Sequence, residues 1–357
     1  SFSAPVTGSV TVNGDGTGVQ TGVDSVSLAL LTGQAVSVQL GATGFSGIEG
    51  FTGNNTDSTL LADNGINNWY LTGPNDGNVN GITFVNFNKL VGGTGNDTFY
   101  LNTNGQLTGF IDGGGAPGTN TLNINTTADT IIRLVDTQPS GSVANPAGTF
   151  TLYQVGSLNG NSNSNHTLTL DVSNPLTTSV AWSINAENSG TVTFGPIAAF
   201  TGFRNLTGSA INDRFTLTSN SVQELVTGLI SGGGQAVGGE DVLILTGMTG
   251  GAAGVSVRLG NTTTAGQLNV NGVERVTGNN STAQGNTATL IADNGTNDWS
   301  ITDANDGSVR LNVGTANQSD VAFTDFNALR GGEGNDNFQI LFDNPLSTSI
   351  AGGLHVA

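Results

Sequence analysis

The sequence reads Ala62-Asp63-Asn64-Gly65-Ile66-Asn67-Asn68-Trp69, and the same pattern returns as Ala292-Asp293-Asn294-Gly295-Thr296-Asn297-Asp298-Trp299. The third tryptophan, Trp182, lies close to the midpoint between Trp69 and Trp299. A short Asn-x-Gly turn signal follows each tryptophan at the same distance, at Asn75, Asn188 and Asn305. A sequence that copies itself at a fixed period is typical of a repeat architecture. The register therefore predicts three repeats of about 115 residues.

A second motif, Phe-x-x-Phe-x-x-Leu, recurs in the same register, with its central phenylalanine at Phe87, Phe203 and Phe326. Spacing by three residues can indicate a helix. Each copy, however, leads within a few residues into glycine and Asn-Asp, and Thr, Val and Phe alternate nearby as they do in strands. We therefore expect a bend between two short strands. The three tryptophans and three phenylalanines are expected to be equivalent structural positions.

A finer period appears inside the first repeat, because turn-forming residues recur at Asp57, Asp76, Asp97 and Asn120, in steps of roughly 20 residues. Short strands separated by turns at such steps predict an all-β chain, folded as a parallel β-helix (β-solenoid) with coils of about 20 residues. We expect the first repeat to span residues 1–125, the second 126–245 and the third 246–357. The second repeat is expected to contain an irregular insertion at 126–165. The chain starts and stops near one repeat phase, so we expect further repeats or copies of the chain to continue the stack head to tail.

Composition limits the function classes. The chain of 357 residues carries a formal charge of −18 with a single lysine, so phosphate backbones would be repelled and nucleic acid is not an expected partner. It has no cysteine, which excludes disulfides and thiolate metal sites. Its 55 glycines and 36% hydrophobic residues favour many short strands over disorder. No apolar run is long enough to predict a transmembrane segment.

The repeat contains a glycine turn that could bind a metal. It reads Gly92-Gly93-Thr94-Gly95-Asn96-Asp97-Thr98-Phe99, then Gly331-Gly332-Glu333-Gly334-Asn335-Asp336-Asn337-Phe338, with a degenerate copy ending at Asp213 and Phe215. Hard cations need several oxygen ligands, which glycine turns and an aspartate can bring together. Asp97 and Asp336 are therefore candidate Ca²⁺ ligands. The alternative is that both are structural Asx turn residues, because each copy stands alone in the sequence.

The sequence offers two other kinds of candidate site. Trp69, Trp182 and Trp299 would stack on sugar rings if exposed, or fill the core if buried. Catalysis has little support, because the two histidines, His166 and His355, do not recur with a serine or an acidic partner. The seven arginines follow no motif, although a secreted β-helix enzyme acting on polysaccharides remains an alternative.

The glycine-aspartate copies resemble the nonapeptide repeat of RTX proteins, and the whole pattern resembles the β-strand repeats of large bacterial exoproteins, the haemagglutinin-like and RTX-like adhesins. This resemblance covers most of the chain, from about residue 36 to residue 353. It implies a secreted or cell-surface protein without enzymatic activity, used in adhesion, in biofilm cohesion or as an extracellular filament subunit. A cell-surface or matrix glycan is a possible partner. The same resemblance allows a calcium-stabilised stalk of a giant adhesin.

Overall fold

The structure is a computed structural model. It describes residues 12–13, 22–41, 45–115, 120–135, 141–145, 148–161, 163–171, 179–194, 197–218, 226–234, 239–245, 254–261, 263–279, 288–343 and 349–353. This part of the chain is all-β and contains no helix. The predicted all-β class is therefore confirmed.

Strands are short and follow one another closely. In the first half of the chain they are β1 Val12–Asn13, β2 Ser25–Ser27, β3 Val36–Gln39, β4 Phe45–Ser46, β5 Gly50–Thr52, β6 Ser58–Leu61, β7 Asn68–Gly73, β8 Asp76–Val79, β9 Ile82–Val85, β10 Lys89–Val91, β11 Thr98–Leu101, β12 Phe110–Asp112, β13 Thr121–Ile124, β14 Ile131–Val135, β15 Gly141–Asn145, β16 Gly148–Tyr153 and β17 Ser157–Asn159.

The second half adds β18 Thr167–Asp171, β19 Ser179–Ala186, β20 Ser189–Phe194, β21 Ile197–Thr201, β22 Asn205–Thr207, β23 Asn212–Leu217, β24 Leu229–Ser231, β25 Val242–Ile244, β26 Val255–Leu259, β27 Leu268–Asn271, β28 Arg275–Thr277, β29 Ala288–Ile291, β30 Asn297–Asp303, β31 Asp306–Leu311, β32 Ser319–Thr324, β33 Ala328–Arg330, β34 Asp336–Ile340 and β35 Ser349–Ala351.

The chain divides into two compact units. Unit 1 comprises Ser1–Ser164 with Gly195–Ala198, and unit 2 comprises Asn165–Phe194 with Ala199–Ala357. We describe each unit by itself.

Two long parallel ladders organise unit 1, and a shorter one pairs β2 with β5 and β5 with β9. One ladder pairs β3, β6, β10, β12 and β16, and the other pairs β7, β11, β13 and β17. Side chains alternate along each strand, so every second residue points inward and meets its equivalent on the next strand. The inward rows are apolar and buried: Val38, Leu60, Leu90, Ile111 and Leu152 in the first ladder, and Trp69, Phe99, Leu122 and Leu158 in the second.

Unit 2 has the same kind of ladders. One runs through β18, β22, β24, β27, β26, β29, β33 and β35, and another through β19, β23, β25, β28 and β32. The second ladder buries the row Trp182, Phe215, Leu243, Val276 and Phe323. Burying such rows removes apolar surface from water, and each Å² removed stabilises the fold by about 25 cal/mol. This hydrophobic burial is the main driving force for the fold.

Antiparallel hairpins interrupt the parallel pattern. The strand that carries each tryptophan folds back on the next one, so that Trp69 faces Val79, Trp182 faces Val192 and Trp299 faces Val309. The region 126–165, expected to be an irregular insertion, contains the antiparallel strands β14, β15 and β16. The sheets are thus mostly, but not wholly, parallel.

The hairpins also lengthen some steps of the ladder beyond the expected one of about 20 residues. Leu90 pairs with Ile111, and Phe99 pairs with Leu122, which are both steps of the length that the spacing predicted. Trp69, however, pairs with Phe99, and this step is clearly longer than the other two. The reason is that Asp76 lies at the tip of the β7–β8 hairpin, where it pairs with Gly73, and does not mark a step of the ladder.

The Phe-x-x-Phe-x-x-Leu motif forms a bend between two strands, as predicted. In unit 1, Phe84 lies on β9 and Leu90 on β10, with Phe87 fully buried between them. The bend is made at Asn86, whose φ of 62° lies in the left-handed region that asparagine tolerates better than most residues. The equivalent bends contain Gly202 (φ 72°) and Asp325 (φ 60°).

Candidate functional site

The three tryptophans occupy matching positions inside the units. Trp69, Trp182 and Trp299 expose 0%, 1% and 0% of their surface, respectively. Each indole stacks on the phenylalanine of the next ladder strand, with ring centroids 5.6 Å apart for Trp69 and Phe99 and 5.2 Å for Trp182 and Phe215. The Trp299 and Phe338 rings are 5.3 Å apart. Stacked indoles buried in this way cannot act as platforms for sugar rings.

A second phenylalanine meets each indole edge-on. Trp69 packs against Phe84 at 5.9 Å, Trp182 against Phe200 at 6.0 Å and Trp299 against Phe323 at 5.9 Å. Phe87, Phe203 and Phe326 lie beside these clusters and are fully buried. The tryptophans and phenylalanines that recur in the sequence therefore form three similar aromatic clusters in the core.

Polar side chains form a second recurring feature, just before the ladder strands. In unit 1, the side-chain nitrogen of Asn67 donates to Asp97 Oδ1 at 2.8 Å, and the backbone N–H of Asn67 donates to the same oxygen at 2.9 Å. The backbone N–H of Asp97 in turn donates to Asn120 Oδ1 at 2.8 Å. The three residues form a hydrogen-bonded chain that runs from strand to strand.

The members of this chain also bind turn carbonyls. The side-chain nitrogen of Asn67 donates to the carbonyl of Gly92 at 2.9 Å, and that of Asn120 donates to the carbonyls of Gly114 and Gln154 at 2.8 and 2.9 Å. Turn carbonyls and strand-starting N–H groups have no ladder partner of their own. The side chains therefore satisfy backbone groups that would otherwise be buried without a hydrogen bond.

Asp97 is the acidic member of the chain in unit 1. It is fully buried, and Oδ2 has no hydrogen-bond partner in the part of the chain that the structure describes. Burial raises the pKa of Asp97 above its ordinary value of 3.8, and the hydrogen bonds from Asn67 oppose that rise. The neighbouring Gly92 must lack a side chain, because a Cβ there would lie 2.3 Å from Asp97 Oδ2 and 2.5 Å from the Gly113 carbonyl oxygen.

The copy in unit 2 around Asp213 uses other donors. The indole N–H of Trp182 donates to Asp213 Oδ1 at 3.0 Å, and Ser209 donates its backbone N–H and hydroxyl to Oδ2 at 2.7 and 2.9 Å. The backbone N–H of Asp213 donates to Asp241 Oδ1 at 2.7 Å. Burial again raises the pKa of the carboxyl group. Here the residue two before the tryptophan is Val180, so no asparagine is present to serve the aspartate.

The third copy returns to the first arrangement. The side-chain nitrogen of Asn297 donates to Asp336 Oδ1 at 2.8 Å and to the carbonyls of Asp293 and Gly295 at 2.9 Å. Asp336 is more exposed than Asp97, since β34 pairs with β30 alone among the described strands, whereas β11 pairs with both β7 and β13. Asp97 in unit 1 and Asp336 in unit 2 thus both accept a hydrogen bond from an asparagine side chain.

Ca²⁺ takes six to eight oxygen ligands, so a site at either aspartate would need several further oxygen atoms. The N–H groups of Asn67 both donate to Asp97 Oδ1, whereas Oδ2 accepts no hydrogen bond from the described residues. Within the described residues, no group of three or more acidic, histidine or cysteine side chains is placed to hold a metal ion. Calcium binding at Asp97 and Asp336 stays a prediction, whereas the structure gives both residues a hydrogen-bonding role.

The histidines and arginines do not converge in the part of the chain that the structure describes. His166 is buried with its ring 6.2 Å from that of Phe203, and His355 lies outside the described residues. Arg275 and Arg310 form exposed ion pairs with Glu240 and Asp320, respectively, on the surface of unit 2. Ion pairs of this kind are typical of solvated surfaces.

A polar cavity of about 300 Å³ lies in unit 2. Its lining includes Asp293, Asn312, Asn271 and Gln318, and it contains no aromatic side chain. The side-chain nitrogen of Asn312 donates to Asp293 Oδ2 at 3.1 Å. This hydrogen bond ties the loop after β31 to the turn before β30.

Two features were not found from the sequence. The first is the pairing of Asn67 and Asn297 with the aspartates, although an asparagine two residues before two of the three tryptophans was a visible signal. The second is a stacked pair of outward tyrosines, Tyr70 and Tyr100, whose rings are 4.7 Å apart and nearly parallel at 5°. Each tyrosine directly follows a ladder aromatic, Trp69 or Phe99, which places it on the opposite side of its strand.

In the described residues, no helix has the length and hydrophobicity that crossing a membrane would require. Comparison of the chain with models of known protein families, with characterised proteins and with solved structures finds no match.

Proposed function

We propose that this chain is a secreted, non-enzymatic structural protein, in which three repeats of about 115 residues form a parallel β-solenoid. The observation that carries the proposal is the hydrogen-bonded chain from Asn67 through Asp97 to Asn120. Its carboxylate and amide groups are used to join successive strands, and are thus committed to holding the stack together. In a catalytic or metal site, the same groups would converge on a ligand.

The apolar rows support the same proposal. Large inward side chains meet in register from strand to strand, and the three aromatic clusters recur along the sequence at the spacing of the tryptophans. In a repeat protein, each unit buries its apolar face against its neighbours and depends on them for stability. The matching surroundings of Trp69, Trp182 and Trp299 fit such repeats.

One strand edge in unit 2 is open to further stacking. Strand β34 pairs with β30, and it has no second partner among the described strands of this unit. Ile340 is 48% exposed, whereas Leu101 and Leu217, which also lie two residues after the ladder phenylalanine, are 0% and 1% exposed. Leu341 beside it is 62% exposed. An exposed strand edge with apolar side chains is a template for another strand.

We infer that β34 takes up such a strand, from further repeats or from another copy of the chain. The function is then the building of an extended extracellular structure, as a filament or matrix subunit or as part of a surface adhesin. The resemblance to exoprotein repeats supports this class of function. A calcium-stabilised stalk is a variant of the same proposal.

The test is the association state of the purified chain. We expect light scattering to show mass increasing with protein concentration, and we expect the Ile340→Asp variant to stay monomeric. Ile131→Asp is the matched control, because Ile131 is 47% exposed on β14 in unit 1. A chain that stays monomeric at all concentrations, or equal behaviour of the two variants, would contradict stacking at β34. Circular dichroism of both variants checks that the fold is kept.

A further inference from the structure

We propose that the outward face of β7, β11, β13 and β17 in unit 1 binds an uncharged polysaccharide. We call it the tyrosine–asparagine face and define it by Tyr70, Tyr100, Asn102, Asn123, Asn125 and Asn159. This inference goes beyond the structural function, because binding at this face does not require stacking at β34.

The first argument is the exposed aromatic pair. Tyr70 and Tyr100 are directly opposite each other on β7 and β11, and their rings stack 4.7 Å apart. Tyr70 keeps 39% of its surface exposed although one side of its ring is covered by Tyr100. On its other side, Tyr70 is flanked by Asn78, which is directly opposite it on β8. Aromatic rings with a polar tip suit ligands that present both C–H groups and hydroxyls, as pyranose rings do.

The second argument is a row of side-chain amides beside the tyrosines. The side-chain nitrogen of Asn159 donates to Asn123 Oδ1 at 2.8 Å, and that of Asn125 donates to Asn102 Oδ1 at 3.1 Å. These bonds fix the four amides in place. The side-chain nitrogens of Asn102 and Asn123 donate no hydrogen bond to the described residues, so each has donor capacity for a ligand. Held amides bind hydroxyl groups at a lower entropic cost than mobile ones.

The third argument is charge. The outward positions of these four strands carry only Asn, Thr, Ser and Tyr, in a chain whose formal charge is −18. An acidic polymer would be repelled by the chain as a whole, and the face offers no cation to bind it. A cationic polymer would be attracted to acidic side chains elsewhere on the surface, because this face carries none. An uncharged polymer with many hydroxyls is the partner that this face fits.

Equivalent positions in unit 2 are different. The residues that follow Trp182, Phe215, Trp299 and Phe338 are Ser183, Thr216, Ser300 and Gln339. The strands around them carry charged side chains, among them the exposed Arg214 and Arg310 and the half-buried Asp298. The fold therefore does not need tyrosine or a neutral surface at these places. The face of unit 1 is a local specialisation, which points to a ligand.

The test is electrophoresis of the native chain through gels that contain a polysaccharide. The neutral probes are mixed-linkage β-glucan, dextran and galactomannan, and the acidic probe is polygalacturonate. We expect at least one neutral polymer to slow the chain and polygalacturonate to have no effect. Replacing Tyr70→Ser together with Tyr100→Thr, the residues found beside Trp182 and Phe215, is expected to weaken binding about tenfold or more.

Two further variants make the result decisive. Asn102→Asp with Asn123→Asp keeps the side-chain shape and adds charge, and we expect a similar loss of binding. Ser183→Ala with Thr216→Ala, at the equivalent positions on β19 and β23, is the matched control in unit 2 and should bind as the unchanged chain does. No slowing by any neutral polymer, slowing by polygalacturonate alone, or equal slowing of the tyrosine variant would overturn the proposal. Light scattering of the tyrosine variant should show the same association as the unchanged chain, which separates this inference from stacking at β34.

Discussion

The indole N–H of Trp182 donates a hydrogen bond to Asp213 Oδ1 at 3.0 Å, whereas the indole nitrogens of Trp69 and Trp299 have no partner among the described residues. In those two places an asparagine side chain donates a hydrogen bond to the aspartate instead. Val180 replaces that asparagine before Trp182. The Oδ1 atom of the recurring aspartate thus accepts its hydrogen bond from an asparagine amide in two copies and from an indole N–H in the third.

This exchange predicts that the same Trp→Phe substitution lowers the free energy of unfolding by different amounts at different tryptophans. Trp182→Phe removes the donor and leaves Asp213 Oδ1 buried without it, so we expect it to cost about 1–3 kcal/mol more than Trp69→Phe. Both changes remove a similar volume from a similar aromatic cluster. Urea unfolding of the two variants measures the difference. Adding Val180→Asn to Trp182→Phe should recover part of the loss, and equal destabilisation of the two single variants would refute the assignment.

The buried carboxyl group of Asp97 predicts a pH dependence of stability. Its pKa in the folded chain is raised above the ordinary value of 3.8, chiefly by burial, so the folded state holds the proton more tightly than the unfolded state. The stabilisation from this group is present below pH 4 and is lost as the pH rises through the folded pKa. We therefore expect Asp97→Asn to gain stability relative to the unchanged chain on going from pH 4 to pH 7.

Thermal melting at a series of pH values checks this expectation. Asp303→Asn, at an exposed position, is the control and should follow the unchanged chain throughout. A difference between Asp97→Asn and the unchanged chain that does not vary with pH would show that burial of the charge is not what determines the stability of this site.

The glycine turns predict a sharp contrast within one triplet. A Cβ on Gly232 would lie 1.8 Å from the carbonyl oxygen of Gly272, whereas a Cβ on Gly234 meets no atom within 4 Å. We expect Gly232→Ala to destabilise unit 2 by about 2 kcal/mol or more, because backbone must move, and Gly234→Ala to stay within about 0.5 kcal/mol of the unchanged chain. Chemical denaturation compares them, and similar effects of both would argue against the turn as described.

Calcium dependence is tested by melting the chain with and without a chelator. Because N–H groups of Asn67 and Asn297 contact Asp97 and Asp336, we expect the same melting temperature in both conditions. A lower melting temperature with chelator, restored by added Ca²⁺, would establish metal binding and support the resemblance to RTX repeats.

Local chemistry explains which features could be predicted from the sequence. The bends at Phe87 and its equivalents were predictable, because asparagine, aspartate or glycine next to the central phenylalanine favours a left-handed turn. The length of the ladder steps was not predictable, since apolar and polar residues alternate in hairpin strands as they do in ladder strands. Asp76 therefore looked like a ladder step, although it closes a hairpin.

The polar contacts were less accessible to sequence analysis. Asn67 and Asp97 are 30 residues apart, and only the strand register brings them together. The glycine-aspartate turn resembled a metal site because its residue types suit both uses. In the structure, N–H groups of Asn67 donate to Asp97 Oδ1, a contact that the sequence does not reveal. Tyr70 and Tyr100 were missed for the same reason, since their stacking depends on the pairing of β7 with β11.

The parallel ladders of unit 1 also affect how the protein is made. Trp69 pairs with Phe99, and Phe99 pairs with Leu122, so each ladder partner follows soon after the previous one along the chain. A nascent strand needs only the strand synthesised shortly before it as a docking surface. Folding of this unit can therefore advance step by step along the chain, with each new strand docking on the one formed before it.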